Sequence, residues 1–157
     1  MNEKELSHII AAILIFTVVA GFSFAIDQEY TKIAQTFLFS AIIILTTVFA
    51  KKGMANLLDS DVEHEMWKWQ RYGIRGHQKL RRKIPVGIFI PIIVTVFSLG
   101  IVKLTTLLTY DTKALKRRAA KRFGYYSYTE MTEWHNGLIG AAGIVSLLLL
   151  SVIAYLL

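Results

Sequence analysis

The sequence predicts an all-α membrane protein with three or four transmembrane helices in one polytopic domain, residues 1–157. Three observations carry that prediction. Hydrophobic residues make up 54% of the chain and the mean hydropathy is +0.47, which places it in the membrane class. Apolar stretches at about 9–26, 33–50, 84–102 and 137–157 approach the roughly 20 residues a helix needs to cross the hydrocarbon core. Lys and Arg concentrate between these stretches and give a net charge of +7, as expected where basic loops fix orientation and meet anionic headgroups. That role accounts for the charge without nucleic acid. The absence of cysteine excludes disulfides, thiolate metal ligands and a cysteine nucleophile.

Met1 to Ser7 reads as a short mixed-charge tail, with Lys4 set between Glu3 and Glu5. It lacks the basic start of a signal peptide, so Ile9 to Ile26 is expected to remain as the first span. Asp27 to Lys32 forms a tight polar turn, and Ile33 to Ala50 returns through the membrane. Lys51 and Lys52 then mark the interface.

From Gly53 to Lys83 the chain is amphipathic and aromatic. Asp59 or Ser60 is expected to cap a helix running to Gly73, with Val62, Met66 and Trp69 on one face. Trp67, Trp69 and Tyr72 suit the headgroup level, so this is a first cytoplasmic interfacial helix.

The stretch 84–102, IPVGIFIPIIVTVFSLGIV, is long enough to span. Pro85, Gly87, Pro91 and Gly100 interrupt it, and β-branched residues fill much of the rest. Two topologies follow from its basic flanks, which run to Lys83 on one side and from Lys113 to Arg122 on the other. A kinked crossing helix would put the flanks on opposite faces of the membrane and make four spans. A re-entrant or broken segment would keep both in the cytoplasm, leave three spans, and require other protein to cover its non-helical backbone.

Asp111 to Phe123 is expected to form a second interfacial helix, with Asp111 as N-cap and Gly124 as stop. Its basic surface, Lys113, Lys116, Arg117, Arg118, Lys121 and Arg122, is suited to anionic lipid. Tyr125, Tyr126, Tyr128 and Trp134 form another aromatic belt. In the final span the small residues Gly137, Gly140, Ala141, Ala142 and Ser146 favour close helix packing. Leu147 to Leu150 is directed to lipid or to a larger partner.

Candidate chemistry is sparse. Of His8, His64, His77 and His135, the last three are the weak candidates for a metal site, with Glu130 and Glu133 beside His135. Zinc requires three or four convergent donors, and the chain contains no HExxH. The middles of the spans carry no Asp, Glu, Lys or Arg, which argues against an ion path or proton relay. No catalytic residue and no cofactor is expected.

Three segments carry a resemblance: VEHEMW, IPVGIFIPIIVTVFSLG and RFGYYSYTEMTEWHNGLIGAAGIVSLLLL. Together their ordering resembles the core of the site-2 protease family of intramembrane metalloproteases, especially small archaeal members. The last block is similar to that family's Ala-Gly-Pro-x-x-Asn helix start. Ala142 and Gly143 match it, while Ile144 stands in place of the Pro and Leu147 in place of the Asn. The family's zinc-binding HExxH would fall near Thr47 to Lys51, where there is neither His nor Glu. The resemblance therefore implies a degenerate scaffold, with a membrane-embedded hairpin after the second span and without the protease chemistry.

These readings lead to a non-catalytic, multi-pass protein of the cell (plasma) membrane, with N-terminus and basic loops in the cytoplasm. Its expected partners are the bilayer, anionic headgroups and other membrane subunits, which would make it an accessory or structural subunit of a larger complex. An archaeal membrane oxidoreductase of the monooxygenase type is one such host. The alternatives are an atypical metalloenzyme built on His64, His77 and His135, and a lipid-interacting regulator acting through Lys113 to Arg122.

Overall fold

The computed structural model describes residues 3–71, 79–105, 107–115 and 131–156. The described chain is mostly helical. Three helices are long and apolar enough to cross a membrane: α1 (Glu3–Ile26), α2 (Tyr30–Leu57) and α4 (Glu133–Leu156). Their 24, 28 and 24 residues correspond to about 36–42 Å at 1.5 Å per residue, longer than a hydrocarbon core of roughly 30 Å. A shorter apolar helix, α3 (Val86–Phe97), occupies the interrupted stretch.

The all-α expectation is corrected by two small sheets. Strand β1 (Ser60–Met66) pairs with β4 (Leu108–Ala114), and β2 (Trp69–Arg71) pairs antiparallel with β3 (Lys79–Ile84). In place of the expected interfacial helix from 59 or 60 to 73 stand β1 and β2, joined through Trp67 and Lys68. Val62 and Met66 are four residues apart, a separation that satisfies both the helical and the strand period. His64 decides between them. It is buried together with Ser60, Val62 and Met66, while Asp61 and Glu65 are exposed, which is the two-residue alternation of a half-buried strand.

Asp59 ends a helix where it was expected to begin one. Its φ of 51° is left-handed, its N–H donates to the Asn56 carbonyl, and the Ser60 hydroxyl donates to the Ala55 carbonyl at 3.0 Å. Helix α2 accordingly runs two turns beyond Ala50 and contains Lys51 and Lys52. The expected helix from Asp111 is corrected as well, because Asp111 lies within β4. Residues 116–130, including Lys116, Arg117, Arg118, Lys121 and Arg122, lie outside the described residues.

The chain divides into two compact units, Met1–Ala41 with His64–Thr109, and Ile42–Glu63 with Tyr110–Leu157. In the first, α1 buries Ile9, Ala12, Ile15 and Val19 and contacts α3, whose buried residues form a narrow stripe of Gly87, Pro91 and Thr95. The turn from α1 into α2 uses left-handed Gln28 (φ 57°), with the Glu29 N–H donating back to the Phe24 carbonyl at 2.9 Å. In the second unit, Ala55, Val62 and Ile139 form a small core flanked by Met54, Leu58, Tyr110 and Met131.

Candidate functional site

The stretch around α3 turns back on itself. Its 12 residues rise about 18 Å, too short to cross. Pro91 removes one internal donor of the helix, and the Thr95 hydroxyl returns a bond to the Pro91 carbonyl at 2.7 Å. The helix then stops sharply. Leu99 (φ 52°) and Gly100 (φ 81°) are both left-handed, and the Gly100 N–H donates to the Thr95 carbonyl at 2.8 Å. From Ile101 to Thr105 the backbone belongs to no helix or strand, and Ile101, Val102, Lys103 and Thr105 are exposed.

Both ends of this hairpin meet at Trp67. The Gly87 N–H, one of the first-turn donors that a helix cannot satisfy internally, donates to the Trp67 carbonyl at 2.9 Å. The Trp67 N–H in turn donates to the Leu107 carbonyl at 2.9 Å. Only glycine fits at 87, because a Cβ there would stand 2.7 Å from the Leu107 oxygen and 3.1 Å from both the Trp67 nitrogen and its Cβ.

The far end of the hairpin lies against the other end of α1. A Cβ on Gly100 would meet Phe22 at 3.0 Å and Ser23 at 3.1 Å. The Lys103 ammonium donates to the Ala20 carbonyl of α1 at 3.1 Å. The tip displays large apolar side chains: Phe97 is 86% exposed, Leu99 72% and Ile101 85%.

A buried polar pair fixes β1 to the start of α1. One carboxylate oxygen of Glu5 is 3.1 Å from His64 Nδ1 and accepts the His64 backbone N–H at 3.2 Å. Both side chains are almost fully buried, and His64 Nε2 is buried with them. Of the residues expected to be a mixed-charge tail, Glu3 to Ser7 are therefore the start of α1, where the helix dipole favours Glu5.

The described metal candidates, His64 and His135, are engaged elsewhere. His64 is held by Glu5, and His77 lies outside the described residues. His135 Nδ1 pairs with the Thr132 hydroxyl, which also accepts the His135 N–H at 3.4 Å and so caps α4. Among the described residues no three His, Cys, Asp or Glu converge.

On α4 the close approaches fall at Gly140 and Gly143. A Cβ on Gly140 would lie 2.7 Å from the Tyr110 hydroxyl, and one on Gly143 would lie 2.8 Å from Lys51 Cε and 3.3 Å from Thr47 Cγ2. The Lys51 ammonium sits 4.4 Å from the centre of the Tyr110 ring, whose hydroxyl donates to the Asn136 carbonyl at 3.1 Å. Gly137 has nothing within 4 Å and Ala141 is exposed, whereas Ala142 and Ser146 are half-buried on the side of Gly143. Gly143 is absent from the expected packing set, although its four-residue spacing from Ile139 marks the buried face. Gly137→Ala is expected to raise stability by up to about 1 kcal/mol through helix propensity. Gly143→Leu is expected to lower it by about 1–3 kcal/mol through overpacking. Thermal unfolding of both variants in detergent checks the contrast.

The aromatic residues expected at the interface are placed as follows. Trp67 and Trp69 meet edge to face at 6.4 Å, Trp69 is half-exposed, and Trp134 is exposed in the first turn of α4.

Two exposed ion pairs flank the strands, Glu63 with Lys113 and Glu65 with Lys68. The bond from Lys68, followed by its charge, holds the Glu65 carboxyl below the usual range, and the bond to Glu63 raises the Lys113 ammonium above its own. A lowered carboxylate contributes stability above its unfolded value and loses it as pH falls through the folded one. A raised lysine contributes below its unfolded value and loses it as pH rises through the folded one. The melting midpoint should therefore be insensitive to these pairs from about pH 5 to pH 10 and decline slightly on either side.

No protein-family model, curated protein or solved structure matches the chain, so the resemblance to the site-2 protease scaffold stands on the quoted motifs.

Proposed function

We propose that the chain is a non-catalytic integral membrane protein with three spans, α1, α2 and α4. The α3 hairpin enters and leaves the bilayer from the side of the α1 N-terminus, and the protein works as an accessory subunit of a larger membrane complex. Gly100 reaches Phe22 while Glu5 stays at the mouth end. Seventeen helical residues separate these positions (22 − 5), about 26 Å of depth. The basic segments on either side of the hairpin then share the cytoplasmic face of the plasma membrane.

The observation that carries the subunit reading is the irregular backbone from Ile101 to Thr105, where every residue but Leu104 is exposed. Hydrocarbon cannot satisfy peptide groups, so such backbone at membrane depth is stable only where protein covers it. The exposed Phe97, Leu99 and Ile101 add an apolar contact surface beside it. A photo-crosslinker at Ile101 or Thr105 tests this in native membranes. The expected result is one discrete, stoichiometric polypeptide adduct that copurifies in mild detergent. Adducts to lipid alone, with a monomer of unchanged stability, would overturn the reading.

A further inference from the structure

Lys103 is the one basic residue between Ile84 and Leu107, and no Asp or Glu occurs from Trp67 to Tyr110. In the sequence it closes an apolar run, where a lysine ordinarily reaches out to the headgroups. The fold carries it elsewhere. The turn at Leu99 and Gly100 lies against Phe22 and Ser23, and the chain then comes back along α1 until the Lys103 ammonium donates to the Ala20 carbonyl at 3.1 Å. Ala20 is six residues short of Ile26 (26 − 20), the last residue of α1, so the ammonium sits about 9 Å inside the apolar end of that helix. A carbonyl is a neutral partner. Among the described residues Lys103 has no other hydrogen bond and no carboxylate within ion-pair distance. Asp27 is seven residues from Ala20 (27 − 20), about 10 Å along the helix direction, and Glu29 is engaged by Lys32 at 2.6 Å.

An ammonium brings three donors and a full charge, and a charge held within the bilayer pairs with an opposite one or lines a path. We propose that Lys103 is the docking point for a transmembrane segment of a different polypeptide, one that carries an Asp or Glu at the depth of Ala20. This inference rests on the re-entrant placement and the subunit reading above and names the chemistry of the partner. The side chain of Lys103 is exposed, and exposed Phe97, Leu99 and Ile101 precede it in the same turn, so an apolar contact surface accompanies the charge. A second copy of the chain does not fit. The acids of α1 are Glu3 and Glu5, that of α4 is Glu133, all in first turns, and α2 has none. A lipid phosphate fits less well than a partner carboxylate, because the ammonium is bonded inside the apolar stretch of α1 and not at its end.

The test treats native membranes holding the full chain with dicyclohexylcarbodiimide, an apolar reagent that activates carboxyl groups within the bilayer. A neighbouring amine attacks the activated acyl carbon, the reagent leaves as its urea, and an amide joins the two side chains. The expected product is an isopeptide between Lys103 and an Asp or Glu within an apolar segment of another polypeptide, identified by mass spectrometry. It is read in the unaltered chain and so does not depend on how any variant folds. In parallel, the polypeptide adduct of a photo-crosslinker at Ile101 should fall about fivefold or more in Lys103→Met and persist in Lys103→Arg, which keeps the cation. An amide to a lipid carboxylate, to Asp27 or to a second copy of the chain overturns the inference. So does an Ile101 adduct whose yield is unchanged in Lys103→Met. If Ile101 gives its polypeptide adduct and Lys103 forms no isopeptide, the inference falls and the subunit reading stands. Absence of any polypeptide adduct at Ile101 overturns the subunit reading itself.

Discussion

Gly87→Val is expected to produce the largest loss of stability of any substitution at a glycine, about 2–4 kcal/mol. Two effects add. The new Cβ would stand 2.7 Å from the Leu107 carbonyl oxygen and 3.1 Å from the Trp67 nitrogen. These are main-chain atoms that cannot swing aside as the end of a side chain can. Relief of the clash moves Gly87 away from Trp67 or Leu107 away from both, and so weakens the two 2.9 Å bonds that close the hairpin. Gly87→Ala already carries the clash and should lose about half as much. Gly53→Ala is the control, because nothing lies within 4 Å of that position inside α2. It should be neutral or stabilising by up to about 1 kcal/mol. Thermal unfolding in detergent ranks the three variants, and an unchanged midpoint for Gly87→Val would show that Trp67 does not close the hairpin.

His64→Leu is expected to cost about 2–4 kcal/mol, the range for removing one member of a buried polar pair. Leucine would fill much of the volume, so the loss measures chemistry more than packing. The Glu5 carboxylate would keep the backbone N–H of residue 64 at 3.2 Å and lose the imidazole at 3.1 Å. Glu5→Gln retains an acceptor for that N–H and should cost less, about 1–2 kcal/mol. A double variant carrying both Glu5→Leu and His64→Leu should recover part of the loss, since replacing both members with apolar groups leaves no buried charge behind. Additive losses in the double variant would mean that the two residues act separately.

The long helices were legible in the sequence because membrane spans are specified by a continuous property, apolarity over about 20 residues. Their ends were less so. Glu3 to Ser7 looked like a tail because it is charged, yet the helix dipole and His64 bring Glu5 into the structure. The segment after α2 is ambiguous in sequence for a specific reason: Val62 and Met66 satisfy both periods, and His64, the residue that separates them, is a polar type not expected in a core. Asp59 suits a helix start because Asp favours N-caps, but Asp also tolerates the left-handed conformation that ends one. The hairpin was open between two topologies. Its prolines and glycines mark a break but carry no record of where Leu107 returns. That information sits in a contact between residues 67, 87 and 107, far apart in the chain. The packing face of α4 was offset for the same reason, since Gly137 and Gly140 look alike until Tyr110 is seen to lie against only one of them.

The most direct test of a hairpin that enters and leaves on one side is accessibility labelling of single cysteines in a chain that has none of its own. Lys83→Cys and Asp111→Cys place a thiol on either flank of the hairpin, and Asp27→Cys marks the turn between α1 and α2. In sealed vesicles of known orientation, a membrane-impermeant maleimide should reach positions 83 and 111 from the same face and position 27 from the opposite one. Labelling of 83 and 111 from opposite faces would mean that the chain crosses between them, and would contradict the account.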